Sequence, residues 1–217
     1  MYSPAAFTVN DLTLIREIIK DHPFATVVSG EPEPFATHLP IVCCPETTGE
    51  LRLLAHLAKA NSHWRHLTQQ PEVLVIFHGP HAYVSPQWYA NQPAVPTWNY
   101  IAIHAYARAR VFDDPEQLES AVRALTNAFE APEAPRPPAD YRDRMLAGIV
   151  GLELSVHRLE AKFKLSQNRP AADVAGVISA LEQSSDSNAR ATAHWMRRMA
   201  EANIASTPPA AKTSPTL

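Results

Sequence analysis

Residues 56–64 combine side chains that could bind an anion at the start of a helix. Asn61 and Ser62 are residue types that cap helices, and the first N–H groups of a helix point towards an anion bound there. Lys59 and His63 add two side-chain donors near the same point. The pattern predicts a phosphate site, and an ordinary capped helix beside a solvent-exposed lysine is the alternative.

Three histidines in and after this stretch raise the question of a metal site. His63 and His66 lie about one helical turn apart, a spacing that zinc sites use, and His56 precedes them on an expected strand. No carboxylate lies nearby in the sequence, and a chain with 10 histidines is expected to contain chance clusters. We therefore predict no metal centre.

A second segment that could hold an anion follows a later strand. Lys162 and Lys164 share one face of that strand, and Ser166, Gln167 and Asn168 precede a helix. The N–H groups at that helix start could bind an anion together with the lysines. A charged edge strand followed by a helix cap accounts for the same residues.

Rigid aromatic side chains are concentrated in residues 79–89 and 95–100. Strand connections are usually two to five residues long and rich in Gly, Asn or Asp, whereas these segments carry Pro, Tyr and Trp. A stiff aromatic loop loses little entropy when it is ordered, and it offers flat surfaces. The segments predict contact with a planar ligand or with a partner subunit.

The last expected helix has a basic face, formed by Arg190, His194, Arg197 and Arg198. Such a face could contact DNA phosphates. The net charge of −3 and the lack of a helix-turn-helix pattern favour a solvent-exposed face instead. DNA stays open as a partner at this point.

Composition excludes several other classes of protein. The six glycines form neither of the common glycine-rich phosphate loops, and no nucleophile motif or paired carboxylates are visible. No apolar run approaches the roughly 18 residues of a membrane span, and the first residues do not resemble a secretory signal. Cys43 and Cys44 are adjacent and are poorly placed to form a disulfide. We expect a cytoplasmic protein without membrane contact.

Helices are expected at Asn10–Lys20, capped by Asn10, at 62–69, and from a cap at Asp114 onward. Short strands fill most of the chain between the first and third of these helices. A strand over Asn99–Phe112 would extend about 45 Å, so it must curl as barrel strands do.

A last strand over Leu146–Leu165 changes its apolar phase near His157, which predicts a bulge. Two helices are expected within 170–203, followed by a disordered tail at 206–217. These elements predict an α+β fold with a central antiparallel, barrel-like sheet and a C-terminal helical pair, in a single domain over residues 1–205.

Six motifs, in order and across about residues 1 to 200, resemble the PaiB-type family of FMN-binding negative transcriptional regulators. They are PFAT at 23–26, THLP at 37–40, HLAKAN at 56–61, GPHAYVSP at 79–86, VPTWNY at 95–100 and KFKLSQNR at 162–169.

The resemblance implies an antiparallel split β-barrel with flanking helices, like that of pyridoxamine-phosphate oxidase. It also implies a homodimer with FMN in the groove between the subunits. The residues that it assigns to FMN are Lys59, Asn61, Ser62 and His63 around the phosphate, with His56 as a further contact. Trp98, Asn99 and Tyr100 are the candidates from the aromatic loop, which would lie beside the flavin ring or across the dimer seam. Lys164, Ser166, Gln167 and Asn168 complete the set and could come from the second subunit.

Two alternatives accompany this assignment. Related oxidases carry an Arg-Lys pair where this chain has Ser62-His63, so their substrate is not carried over. A flavin-dependent oxidoreductase that passes electrons from a reduced nicotinamide to a small acceptor is the first alternative. Haem, bound by His38, His56 or His104 in place of flavin, is the second.

Overall fold

In the part of the chain that the structure describes, eight strands form one antiparallel sheet. The structure, a computed structural model, describes residues 1–30, 33–44 and 50–206, with side chains as far as residue 202. The strands are β1 (Thr8–Val9), β2 (Phe24–Ser29), β3 (Phe35–Pro40), β4 (Val42–Cys43), β5 (Arg52–Ala58), β6 (Glu72–Val84), β7 (Thr97–Phe112) and β8 (Ile149–Lys164). Their order in the sheet is β3-β2-β6-β7-β8-β5-β4, and β1 pairs with β8.

Six α-helices accompany the sheet in the described part of the chain. They are α1 (Leu12–Asp21), α2 (His63–Gln69), α3 (Pro115–Phe129), α4 (Ala139–Leu146), α5 (Ala171–Glu182) and α6 (Ser187–Ser206). The prediction of an α+β fold with a C-terminal helical pair is confirmed.

Capping residues set the first turns of α1 and α3. The Asp114 carboxylate accepts a hydrogen bond from the Gln117 N–H at 3.0 Å, as the sequence predicts. The predicted cap of α1 is wrong by one residue. Asp11, and not Asn10, accepts from the first turn, at 2.8 Å from the N–H of Thr13.

Alternation along β7 places one row of side chains in the core. Ile101, Ile103, Ala105 and Ala107 are each no more than 1 % exposed, whereas the neighbouring Tyr106 is only half-buried. A period of two residues is what a strand with one buried face requires. The predicted face assignment of this strand is confirmed.

The buried face of β8 changes phase along the strand. Leu152 and Leu154 are buried in the first half, whereas Ala161 and Phe163 are buried in the second. The first half pairs with β5, and the second pairs with β1 at Ala161 and Lys162. The predicted phase shift is confirmed.

The predicted start of this last strand is wrong. Leu146 is the last residue of α4, and β8 begins at Ile149. The sequence did not indicate α4, because prolines precede it and its N-cap, Pro138, offers no capping side chain.

The chain divides into two compact units, which are described separately below. Unit 1 comprises Met1–Tyr2, Thr8–Gly79 and Ala102–Lys162, and unit 2 comprises Ser3–Phe7, Pro80–Ile101 and the chain from Phe163 onward. The single domain over 1–205 stays a prediction. The predicted tail lies outside the described residues from position 207 onward.

Membrane contact was not expected from the sequence. None of the helices in the described ranges is both long and apolar enough to cross a bilayer. The cytoplasmic location stays a prediction.

Candidate functional site

A buried histidine organises the 56–64 stretch of unit 1. The His63 side chain is 0 % exposed, with Nδ1 2.8 Å from the Thr37 hydroxyl and Nε2 3.0 Å from the Ser29 hydroxyl. The Asn61 amide donates to the Thr37 hydroxyl at 3.2 Å, and its oxygen accepts from the His63 N–H at 2.9 Å. These four residues form a polar network that links β2, β3 and the start of α2.

The surroundings of His63 favour the neutral form of its ring. Burial lowers its pKa, and the neighbouring charge of His66 lowers it further. Phe35 covers the ring, with the two centroids 4.7 Å apart. A neutral imidazole bonded on both nitrogens is suited to fixing its neighbours in place.

Two of the predicted phosphate ligands, Lys59 and Ser62, have side-chain donors that are available to a ligand. Within the described residues, neither the Ser62 hydroxyl nor the Lys59 ammonium forms a hydrogen bond or ion pair. The Lys59 backbone is fixed, because its N–H donates to Gly148 at 2.8 Å and its carbonyl accepts from the Trp64 indole at 3.0 Å. The Lys59 side chain lines two clefts of about 280 and 430 Å³, each of which also includes Asp113.

In unit 2 the predicted trio of Trp98, Asn99 and Tyr100 is split between the two faces of β7. Trp98 is 47 % exposed, whereas Asn99 is 0 % exposed. The Asn99 amide donates to the Ser166 hydroxyl at 2.9 Å and to the Met196 sulfur at 3.3 Å. Asn99 and Ser166 therefore form an internal pair.

The side chains of Lys164 and Gln167 form hydrogen bonds to other groups of unit 2. The Lys164 ammonium donates to the Thr97 hydroxyl at 2.7 Å and to the Trp98 carbonyl at 2.6 Å. The Gln167 amide donates to the Phe163 carbonyl at 2.5 Å. The remaining member of this predicted set, Asn168, is exposed. The lysine thus fixes the backbone that carries Trp98.

Four exposed or half-exposed rings of unit 2 form an aromatic patch, consisting of His81, Tyr83, Trp88 and Trp98. The Tyr83 ring lies 6.1 Å from that of Trp98 and 6.4 Å from that of Trp88. The Trp98 indole donates to His81 Nδ1 at 3.3 Å. The patch offers flat apolar surfaces with a histidine at one side.

The loop that carries Trp88 is anchored by a carboxylate that the sequence analysis missed. Asp173 on α5 is 1 % exposed and accepts from both the N–H and the side-chain amide of Asn91, each at 2.9 Å. Burial alone would raise the pKa of Asp173, but the hydrogen bonds from Asn91 outweigh it and hold the pKa below its usual value. The one sequence signal for this role is an acidic residue in the first turn of an otherwise apolar helix.

The histidines considered for haem lie on three strands. His38 on β3 is exposed and lies 6.1 Å from the Phe24 ring. His56 on β5 has a buried Nδ1 without a hydrogen-bond partner among the described residues, and burial lowers its pKa. Burial also lowers the pKa of His104 on β7. Across the described ranges, no group of three or more His, Cys, Asp or Glu side chains is arranged to hold a metal ion.

The basic face of α6 is partly engaged within unit 2. Arg190 donates to the Ser184 carbonyl at 2.7 Å, and Arg197 donates to the Glu182 carboxylate at 2.5 Å. These bonds shorten the reach of both side chains towards an external phosphate.

Comparison with known sequences identifies a family. The sequence profile of the family described as "Putative FMN-binding domain" matches residues 1–158. The chain is also 36 % identical over 205 residues to the protease synthase and sporulation protein PAI 2 of Bacillus subtilis, a match that covers 90 % of this chain and 96 % of that protein.

Comparison with solved structures identifies the fold. The flavocytochrome Anf3 of Azotobacter vinelandii superposes with a TM-score of 0.57 at 16 % identity, covering 72 % of this chain and 69 % of that chain. The FAD and haem binding protein of Mycobacterium smegmatis gives 0.57 at 17 % identity, covering 77 % and 78 %. At such identities the likeness concerns the fold alone, and it confirms the split β-barrel.

Proposed function

This chain belongs to the FMN-binding domain family, and from that premise we propose that it works as a homodimeric flavoprotein that holds the FMN phosphate with Lys59 and Ser62. Its cofactor is FMN. The observation that carries the proposal is the family match over residues 1–158, which includes the whole 56–64 stretch. When bound, FMN supplies redox chemistry that the amino acids of the chain lack.

We assign the FMN phosphate to Lys59 and Ser62 because their side-chain donors are still available for hydrogen bonding. The Lys59 ammonium and the Ser62 hydroxyl have no partner within the described residues, and they flank residues whose backbone is fixed. A charged donor and a hydroxyl are the groups that bind a phosphate well. Residues that fix the backbone on both sides would keep the entropy cost of binding small.

Asn61 and His63 receive a positioning role in this proposal. Both ends of the Asn61 amide and both nitrogens of the His63 ring are used inside unit 1. A direct bond from the His63 ring to the phosphate would break one of these contacts, whereas Asn61 could donate to the phosphate only through the second hydrogen of its amide nitrogen. We therefore assign them to holding Ser62 in place, while His56 stays a predicted contact.

That Trp98, Asn99 and Tyr100 contact the flavin ring stays a prediction, and within unit 2 the exposed Trp98 ring offers the flat surface that such a contact needs. The Trp98 side chain is 47 % exposed, and its backbone is held by Lys164. Tyr100 shares this face of β7, whereas Asn99 and Ser166 support the strand from the other side. That Lys164, Ser166, Gln167 and Asn168 act from the second subunit stays a prediction.

Self-association is proposed from exposed apolar side chains. Phe24 in unit 1 is 65 % exposed and Trp98 in unit 2 is 47 % exposed. A contiguous exposed apolar surface often marks an interface or a ligand site, and the aromatic patch around Trp98 is contiguous. Light scattering after size exclusion should give twice the mass of the 23.9 kDa chain, and the mass of one chain at working concentration would contradict the dimer.

A regulatory role, implied by the resemblance, is proposed to be indirect. Arg190 and Arg197 on the basic face of α6 are bonded within unit 2. The alternative is a reductase, for which the aromatic patch could also accept a nicotinamide ring. Oxidation of reduced nicotinamide in the presence of excess FMN supports the reductase, and a flat trace under every condition contradicts it.

The phosphate assignment is tested by comparing FMN with riboflavin, which lacks the phosphate. Lys59→Ala/Ser62→Ala should weaken FMN binding at least about tenfold, because each lost charge-assisted contact is worth roughly 1.5–3 kcal/mol. Riboflavin binding should stay the same in this variant. Lys20→Ala, an exposed lysine on α1, is the matched control. Equal losses for both flavins would contradict the assignment.

A further inference from the structure

A small cavity beside α3 and α4 in unit 1 has a lining of unusual charge. Its volume is about 130 Å³. Its lining includes charged and apolar side chains, among them Glu119, Val122, Arg123, Arg136, Arg142 and Leu146. No residue predicted to contact flavin lines it. We propose that this cavity binds a small organic carboxylate with an apolar body no larger than one ring.

The charge of the lining is not balanced from within. Arg123 and Arg136 form no hydrogen bond or ion pair with any described residue. Arg142 is paired with Glu119 at 3.3 Å. With the Asp143 carboxylate, which lies 3.5 Å from Arg142, three guanidinium groups stand against two carboxylates, so one positive charge is left in excess around the cavity. An anion is the ligand that such a lining favours.

Arg142 adds a more specific signal. Its Nε atom is buried and has no hydrogen-bond partner among the described residues, although the Asp143 carboxylate lies 3.5 Å away. A buried donor with an ion pair but no hydrogen bond is incompletely satisfied, and native structures leave few such donors. A carboxylate oxygen in the cavity would satisfy this donor, since guanidinium groups bind carboxylates through paired N–H groups.

The size and apolar part of the lining narrow the ligand further. Pockets for drug-sized molecules usually measure about 300–1,000 Å³, so this cavity is too small for them. A cavity of about 150 Å³ in another protein holds benzene, which sets the scale of the body that fits here. Val122, Pro137 and Leu146 provide apolar contacts for such a body. Inorganic phosphate would use the arginines but leave these contacts empty.

The proposal is tested by titrating 4-fluorobenzoate into the full-length protein and following its fluorine resonance. Saturable binding with a Kd on the order of 1 mM or tighter is expected. The neutral 4-fluorobenzamide, which has the same shape, should bind at least about tenfold more weakly because it cannot pair with the guanidinium groups. Equal binding of the two compounds would overturn the proposal.

Variants locate the binding. Arg123→Ala/Arg136→Ala should weaken 4-fluorobenzoate binding at least about tenfold, while Arg144→Ala leaves it unchanged. Arg144 is the matched control because it lies on α4 outside the cavity and pairs with Asp140 at 3.5 Å.

A steric variant provides an independent check. Val122→Phe fills the cavity and keeps every charge, so it should abolish binding without removing an arginine. Unchanged affinity in both the double variant and Val122→Phe would reject the site. FMN binding, measured on the same samples, should be unaffected, so that this result is separate from the flavin proposal.

Discussion

Asn99 and Ser166 hydrogen-bond to each other through two contacts inside unit 2, although 67 residues separate them in the sequence. The Asn99 amide donates to the Ser166 hydroxyl at 2.9 Å, and that hydroxyl lies 3.3 Å from the Asn99 oxygen. Ser166 adopts a φ of 67°, in the left-handed region that serine rarely occupies. The pair thus holds a strained residue at the end of β8.

Two substitutions at this position separate strain from hydrogen bonding. Ser166→Ala keeps the strained backbone and removes the hydroxyl partner of the buried Asn99 amide, which keeps only its contact with the Met196 sulfur, so it should lower the free energy of unfolding by about 1–3 kcal/mol. Ser166→Gly loses the same hydrogen bond but relieves about 1 kcal/mol of backbone strain. Urea unfolding should therefore rank the wild type above Gly and Gly above Ala. An alanine variant more stable than the glycine variant would contradict the strain.

The His63 network should contribute to the stability of unit 1. His63→Ala leaves the Thr37 and Ser29 hydroxyls without their shared partner and opens a cavity under Phe35, at a cost of about 2–4 kcal/mol in the free energy of unfolding. His194→Ala, which removes an exposed histidine on α6, should change it by less than about 0.5 kcal/mol. Comparable losses for the two variants would show that the network contributes little.

The same histidine predicts a pH dependence with a definite sign. Burial lowers the pKa values of His56, His63 and His104 in the folded state. At mildly acidic pH the unfolded chain therefore binds more protons at these histidines than the folded chain does. The free energy of unfolding that these neutral histidines contribute is fully present above the unfolded histidine pKa of about 6.5. This contribution is lost as the pH falls below that value. In urea titrations, His63→Ala should flatten this slope by up to about 1.4 kcal/mol per pH unit. A slope that His63→Ala leaves unchanged would contradict this account.

The aromatic loop should depend on a close approach to α5. A Cβ atom at Gly176 would lie 2.2 Å from the Trp88 carbonyl oxygen, which is backbone and cannot easily move aside. Gly176→Ala should therefore cost about 1–3 kcal/mol of stability and disturb Trp88 fluorescence. Gly30→Ala is the control, since no atom of the described residues, its chain neighbours aside, lies within 4 Å of its added Cβ. A stable Gly176→Ala protein with unchanged fluorescence would show that the loop tolerates displacement.

Direct DNA binding is not expected. The chain carries a net charge of −3, and Arg190 and Arg197 are bonded within unit 2. A mobility-shift assay with promoter DNA should show no retarded band at about 0.15 M salt, where binding that depends on phosphate contacts is already weakened. A band that vanishes in Arg190→Ala/Arg197→Ala/Arg198→Ala would establish that face as a DNA-binding surface.

Local patterns predicted much of the fold. The alternation in Asn99–Phe112, the phase shift near His157 and the cap at Asp114 are signals of short range, and the structure agrees with each of them. The missed helix α4 shows the limit of such patterns, since it follows prolines and lacks a capping side chain. Propensity is a weak guide where no cap marks a boundary.

The roles of the site residues were harder to predict, because they depend on partners far away in the sequence. The spacing of Asn61 and His63 indicated donors for an anion, but Thr37 and Ser29, more than 20 residues away, occupy them. Asn99 lies in an aromatic motif but bonds with Ser166. Contacts of this kind can be read only from the folded chain.

Titration of FMN with the purified protein, followed by flavin fluorescence and by the visible absorption spectrum, tests the central claim most directly. The account predicts saturable quenching at about one FMN per chain and a flavin spectrum that is retained after gel filtration. Absence of quenching up to saturating FMN, or a Soret band in the spectrum, would contradict it.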